Sequence, residues 1–186
     1  MPTIFGHAVA GLTIAAAFKG DRLPRRTWIV ATACAVAPDA DWFVSLLPLA
    51  RGHALNHRGA AHSLFAALVL ATLALVVAYR PLQRRFRLWL CLAAAAVSHG
   101  LLDACTCGGV GVALFMPFSD TRWACVFQPV HVSPLPLNPS AVELFVAQLW
   151  TEAVWIGLPA LLIVGWTRLV RRATSVPVLS LAAPEA

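Results

Sequence analysis

The sequence predicts an all-α fold, a polytopic membrane bundle of about five helices, and three observations predict it. Hydrophobic residues make up 60% of the 186 and charged residues only 12%, against about 25% charged in an average soluble domain, and mean hydropathy is +0.77. The apolar residues fall into separate runs, and since a spanning helix takes about 20 residues the length allows one compact domain of four to six helices. Short loops beside those runs hold most of the basic residues, the arrangement that orients membrane helices. The same placement accounts for the formal charge of +6 without a basic patch on one face, so no nucleic-acid partner is expected.

Ile4 to Phe18 is the first run, short for a full span and holding His7 near its start. No basic stretch precedes it, so it does not read as a cleaved signal peptide. Lys19, Arg22, Arg25 and Arg26 follow, with Pro24 marking a turn. Trp28 to Leu47 is the second run, which Pro38 should end or kink because it removes a donor and crowds the preceding turn. Beyond it Asp39 and Asp41 are expected in an irregular or extended stretch. Leu49 to Ala61 reads as a polar loop with Arg51, His53, His57 and Arg58. Ser63 to Tyr79 is the third helix, stopped by Arg80-Pro81. Arg84, Arg85 and Arg87 form a second basic loop before the fourth helix, Leu88 to Asp103. Gly, Pro and aromatic residues mix from Ala104 to Pro139, with a re-entrant or interfacial piece expected at Val110 to Phe118. The fifth helix, Ala141 to Leu169, should break or bend at Gly157-Leu158-Pro159. Residues 1–172 thus form a single membrane domain, followed by a polar tail over 173–186; no internal repeat is visible.

Eleven of the 14 Lys and Arg residues lie in the stretches 19–26, 80–87 and 168–172; only Arg51, Arg58 and Arg122 lie in the alternate loops. With five crossings this puts the C-terminus in the cytoplasm and the N-terminus outside. His7, Asp39, Asp41, His57, His62, His99 and Asp103 then all fall toward the non-cytoplasmic end. A count of arginines carries no information about ligands, so this convergence supports one site independently.

His99 and Asp103 are four apart and share a helix face. An imidazole and a carboxylate stacked that way can grip one metal ion. They close an apolar run, where an ionisable group costs roughly 2.5–3.5 kcal/mol on insertion scales. His57 and His62, five apart, read as a loop-to-helix ligand pair, with Gly59 giving the turn its freedom. Arg58 between them suits a phosphate or carboxylate on a substrate; its plainer role is an interfacial anchor. Asp41 taken alone fits a helix terminus. Glu152, with Gln148 one turn earlier, is a buried ligand or general-base candidate, or a partner for an imidazole or arginine. His53 and His131 more simply face water or headgroups.

A mixed His/carboxylate set suits zinc, manganese or iron better than the oxygen cage that suits calcium. More than four donors also permit two ions. Ser63 lacks the Gly-x-Ser-x-Gly context of a serine hydrolase. Of the five cysteines, Cys34 and Cys91 read as buried thiols. Cys105, Cys107 and Cys125 share one loop, where one disulfide with an odd thiol fits an oxidising compartment; Cys-x-Cys lacks the usual metal-ligand gap.

Gly6-His7 with Gly11, Pro38-Asp39-Ala40-Asp41, His57 through Ser63, His99-Gly100-Leu101-Leu102-Asp103, and Gly109-Val110 running to Pro117-Phe118-Ser119 together resemble the YdjM-like family of bacterial inner-membrane metal-dependent hydrolases. The likeness covers Met1 to Ser119, and Ala61 stands where that family usually has threonine. It implies a divalent-metal hydrolase whose ligands come from His7, Asp39, Asp41, His57, His62, His99 and Asp103. The order of ligands is more distantly similar to the all-helical zinc phospholipase C and nuclease group. That group supplies a further His-x-x-x-Glu pair where this chain has Gln148 before Glu152, which favours one or two ions over three.

Residues and resemblance together predict a hydrolase of the bacterial inner membrane, with membrane lipids around it and a lipid headgroup or small phosphoester as substrate. Its metal centre, most simply zinc, faces the non-cytoplasmic side. Arg58 would steady charge, and Asp41 or Glu152 would act as base. The alternatives are a metal carrier or sensor using the same ligands, and a structural membrane protein with satisfied polar helix ends.

Overall fold

The computed structural model describes residues 1–18, 23–45, 57–79, 85–107, 109–133 and 138–174. Lys19, Arg22, Arg51, His53, Arg80, Arg84 and the chain beyond residue 174 lie outside the described residues. Regular structure among them is entirely helical, in five rods. The first is α1, Ile4–Phe18. Next comes α2, Thr27–Val36, which runs through a 3-10 turn at Ala37–Ala40 into the short α3, Asp41–Ser45. A second 3-10 turn, Ala60–His62, leads into α4, Leu64–Ala78. The fourth rod is α5, Arg85–Ala104. In the fifth, α6, Pro139–Glu152, continues through a π-helical turn at Ala153–Gly157 into α7, Leu158–Thr174.

Local chemistry sets these limits. Ser63 caps α4, its hydroxyl accepting from the Ala66 amide at 3.1 Å, and Asn138 caps α6 by accepting from Ala141 at 2.9 Å ahead of Pro139. Pro38 converts the α-helical ladder to 3-10 and does not produce the extended stretch expected for Asp39 and Asp41. Its missing N–H and its ring are accommodated by tightening the turn. The irregularity expected in the last helix at Gly157-Leu158-Pro159 is the π turn, which ends at Gly157. At its far end α7 carries on to Thr174, past the predicted Leu169.

Small residues let the first four rods pack closely. Ala15, Ala31, Cys34, Ala35, Ala67, Ala71, Cys91, Ala95 and Ala96 are buried together with Leu88 and Leu92, the small-side-chain seam that membrane helices favour. Gly11 marks the tightest crossing: a Cβ there would lie 2.9 Å from the Thr32 Cα and the Ala35 Cβ. Large apolar side chains point the other way, among them Leu73, Val76 and Val77 on α4 and Leu161, Leu162 and Trp166 on α7. A helix surface of that kind is made for an apolar surrounding. Among the described residues, two helices, 86–104 and 139–174, are long and apolar enough to cross a membrane. Helices α1 and α4 are apolar but have 15 residues each.

Basic side chains gather where α1 ends. Arg171 donates to the carbonyls of Ala16 and Ala17 at 3.0 and 3.1 Å, and Arg87 donates to Phe18 at 3.3 Å. These satisfy carbonyls that the last turn of α1 leaves without partners and oppose its negative dipole end. The opposite end of the bundle, where α1 begins, α2 gives way to α3, α4 begins and α5 ends, is left for the acidic and imidazole groups.

Candidate metal centre

Four segments deliver the polar cluster. His7 lies one turn into α1, Asp39 and Asp41 come from the turn after Pro38, His62 from the 3-10 turn before α4, and His99 and Asp103 from the last two turns of α5. His7, His62, His99 and Asp103 are almost fully buried. Gly100 allows the approach: a Cβ there would stand 2.5 Å from the His62 carbonyl oxygen.

Asp39, His62, His99 and Asp103 each offer a donor atom within 4.8 Å of the others. The separations are 3.3 Å for His62 Nε2 to Asp103 Oδ2, 3.4 Å for His99 Nε2 to Asp39 Oδ1, 3.6 Å for His62 Nε2 to Asp39 Oδ1 and 4.0 Å for His99 Nε2 to Asp103 Oδ2. None of these four atoms has a hydrogen-bond partner. The separations start at the edge of about 3.3–3.4 Å that a tetrahedron of ligands has when its bonds are about 2.0–2.1 Å, and run slightly above it. His7 adjoins the group, with Nε2 at 3.4 Å from Asp103 Oδ1 and its ring stacked on His99 at 3.8 Å between centroids.

Among the described residues, the buried side-chain nitrogens and oxygens without a hydrogen-bond partner all belong to His7, Asp39, Asp41, His62, His99 and Asp103. Native proteins leave few such atoms unpaired, and each costs about 1–3 kcal/mol when orphaned. A cation among them would satisfy several donors at once. His99 is prepared for that role by its other nitrogen: Nδ1 meets the Ala35 carbonyl at 2.7 Å. A backbone acceptor there holds the proton on Nδ1 and turns the Nε2 lone pair inward.

A second group adjoins the first. Asp41, His57 and His62 also place donors within 4.8 Å of one another, with His57 Nδ1 2.7 Å from Asp41 Oδ1 and His62 Nδ1 3.0 Å from Asp41 Oδ2. The two aspartates therefore do not share one role: Asp39 faces the α5 pair, and Asp41 faces His57.

Arg58 takes the left-handed conformation, at φ 63°, while Gly59 keeps φ at −87°. The positive φ thus belongs to the arginine, and Gly59 beside it takes ψ −135°, outside the helical and extended regions, using the freedom expected of it. The neighbours of Arg58 hold it there. Its carbonyl accepts from the Ala113 amide at 3.1 Å, Nη2 donates to Thr106 Oγ1 at 2.9 Å, and Nε lies 3.7 Å from Asp103 Oδ2. A non-glycine residue held at positive φ is the kind of strain found at functional sites.

Glu152 joins neither group. Its oxygens accept from the Thr3 amide and hydroxyl at 2.5 and 2.6 Å and from Gln148 Nε2 at 3.0 Å, which ties α6 to the chain entering α1. His131 is exposed, and its amide donates to Thr151. Cys105 and Cys125 stand with sulfurs 2.6 Å apart, and no disulfide joins them or Cys107.

Residues 109–133 form the cover. The piece expected to be re-entrant or interfacial is not helical: Val112 and Trp123 exchange backbone bonds at 2.8 Å, and Leu114 accepts from Leu64 at 2.9 Å. Gly and Pro along this stretch cap no helix; the ladder bonds go to α4 and the Arg58 turn. Thr106 is the residue that sequence reasoning passed over. Its hydroxyl accepts from Arg58 and donates to the Asp103 carbonyl at 2.8 Å. Its position three residues after Asp103, where threonine back-bonds the end of a helix, was the available signal.

Beside the cluster lies a cavity of about 690 Å³, with Phe5, Trp42, Val110 and Phe145 among its apolar walls and His57, Arg58 and Gln148 among its polar ones. Apolar walls with a few convergent polar groups are the usual character of a ligand site.

A family model described as YdjM inner membrane protein matches residues 1–174. The chain is also 33% identical over 171 residues to the inner membrane protein YbcI of Escherichia coli (strain K12), covering 90% of this chain and 99% of that one. No solved structure matches.

Proposed function

The chain belongs to the family of YdjM inner membrane proteins, and from that premise we propose that it is a membrane-embedded, divalent-metal-dependent hydrolase acting on a phosphoester such as a lipid headgroup. The observation that carries the reading is the knot of buried, unpartnered imidazole and carboxylate atoms at ligand-edge spacing beside an open cavity. Asp39, His62, His99 and Asp103 would hold the ion, with His7 at their edge. Two residue types in that set, with imidazole nitrogens and carboxylate oxygens mixed, fit zinc best and also admit manganese or iron. Such a cation supplies Lewis acidity toward water and toward a phosphoryl oxygen.

The chain's own groups do the rest. Arg58 is fixed at the wall shared by cluster and cavity, where its guanidinium would meet the charge of a phosphate. Of the two candidate bases outside the four-residue group, Glu152 is engaged by Thr3 and Gln148, so Asp41, paired with His57, is the better placed proton acceptor. The apolar walls suit the glycerol or chain end of an amphiphile. The arrangement of arginines favours a C-terminus in the cytoplasm, a bundle crossing the membrane five times and a site on the outer side. A carrier using the same ligands would need further donors along a path, and the two candidate groups among the described residues share His62 at one end of the bundle.

The test is detergent-purified protein, wild type beside His99→Ala, assayed for bound metal and for release of phosphate or headgroup from a panel of phospho- and carboxyl-ester lipids. Loss of metal and of phosphoester turnover together is expected. A variant that keeps both would refute the assignment.

A further inference from the structure

We propose that the centre takes two divalent cations and that His62 is shared between them, Nε2 serving the Asp39–His99–Asp103 side and Nδ1 serving a second ion held with Asp41 and His57. The proposal rests on the reading of the first group as a cation site and adds a second, inequivalent one.

Four observations carry it. First, carboxylates stand on both edges of the His62 ring: Asp103 and Asp39 at 3.3 and 3.6 Å from Nε2, Asp41 at 3.0 Å from Nδ1. A protonated ring would present an N–H to each edge, yet neither nitrogen has a hydrogen-bond partner; stripped of both protons, which leave to solvent, the ring can offer a lone pair to an ion on each side. Second, His62 Nδ1 and Asp41 Oδ2 are buried, and neither has a hydrogen-bond partner despite lying 3.0 Å apart. They converge at bonding range without the alignment of a hydrogen bond, as two ligands of one ion do. Third, the His57 ring stands edge-on to His62 at 5.1 Å between centroids, with Nδ1 toward Asp41. Its other nitrogen meets the Met1 thioether sulfur at 2.7 Å, so the orientation of the ring is settled from both sides. Fourth, His57 is partly exposed and lines the cavity. A second ion would therefore border the substrate space, while the first is enclosed.

Two cations on either side of a phosphoryl group are the usual arrangement for clamping attacking and leaving oxygens. Asp41 then works as a ligand and not as a proton acceptor, because water held by a divalent cation already ionises near a pKa of about 7.

The full chain in detergent is stripped with chelator, titrated with Zn(II), and its metal content measured against protein. Wild type should bind two ions per chain. His57→Gln and Asp41→Asn, both close in size to the native residues, should bind one. Their retained ion shows that the centre is still assembled. A copper- or cobalt-loaded sample should show the paramagnetic signal of the first ion altered on adding the second, as a shared imidazole requires. One ion per wild-type chain, two in His57→Gln, or a second ion without coupling would each overturn the proposal. His99→Gln separates the two readings: if it keeps the enclosed ion, the first site is misassigned, whatever the His57 series shows.

Discussion

His62 sits under opposing influences that make its titration a measurable property. Burial alone would push its imidazole down, but Asp103, Asp39 and Asp41 around it outweigh that and raise it to about 10. Without a cation it is therefore protonated at neutral pH, and a cation must displace that proton. Affinity should fall by up to about tenfold for each unit the pH is lowered below 10, since one proton competes with the ion. Titration calorimetry in buffers of different ionisation heat checks it: about one proton leaving His62 for each ion it binds is expected, two in all when both nitrogens take one, and none would remove His62 from the ligand set. Thr106 offers a second prediction. Thr106→Val keeps the shape of the side chain and removes the acceptor for Arg58 and the donor to the Asp103 carbonyl. Hydrogen bonds to a charged group contribute about 1.5–3 kcal/mol. A stability loss of about that size is expected in thermal or denaturant unfolding, with phosphoester turnover falling further as Arg58 loses its tether. The identities of the ionisable residues were legible in sequence at this scale. Thr106 and the left-handed Arg58 were not, because a hydroxyl's partner and a backbone angle are fixed by neighbours 48 or more positions away.

Apart from the far end of α7, the helices were readable to within a turn, because apolar runs, Ser63, Pro38 and Pro139 act locally. How two elements approach was not. The crossing of α5 over the Ala60–His62 turn depends on Gly100, which in the sequence is one glycine among eleven. Gly100→Ala would place a methyl 2.5 Å from the His62 carbonyl, and backbone on both sides leaves little room to yield. The expected outcome is a folded, helical protein, by circular dichroism, that binds zinc at least tenfold more weakly because His99 and Asp103 ride outward with α5. Unchanged affinity would mean that the turn follows α5 without cost. The cover over 109–133 shows the same limit from the other direction. Its composition suggested a re-entrant or interfacial piece; the bonds that order it go to Leu64 and to the Arg58 turn, partners that no local pattern announces.

For the whole molecule, the ion and the fold are coupled. Unpaired buried donors from α1, the Pro38 turn, the His62 turn and α5 meet in one place, so a cation binding only the folded chain should stabilise it by mass action. Chelation should lower the unfolding temperature of the detergent-solubilised protein, and zinc at one hundred times its dissociation constant should restore about 2.7 kcal/mol; a chelator without effect would argue for a centre satisfied in some other way. Orientation belongs to this scale too. The arginine asymmetry predicts that a fluorescent reporter fused to the C-terminus is active in the cytoplasm and that an exported phosphatase fused there is silent; the reverse pattern would invert the site. The helical membrane class, the order of the rods and the residues able to hold a cation can be read along the chain, because periodicity, proline and ionisable groups in apolar runs are local quantities. Which donors meet, the parting of Asp39 from Asp41 and the turn of Glu152 toward Thr3 arise from packing. Those outcomes depend on helix crossings set by small residues such as Gly11 and Gly100, whose effect exists only once a second element lies against them.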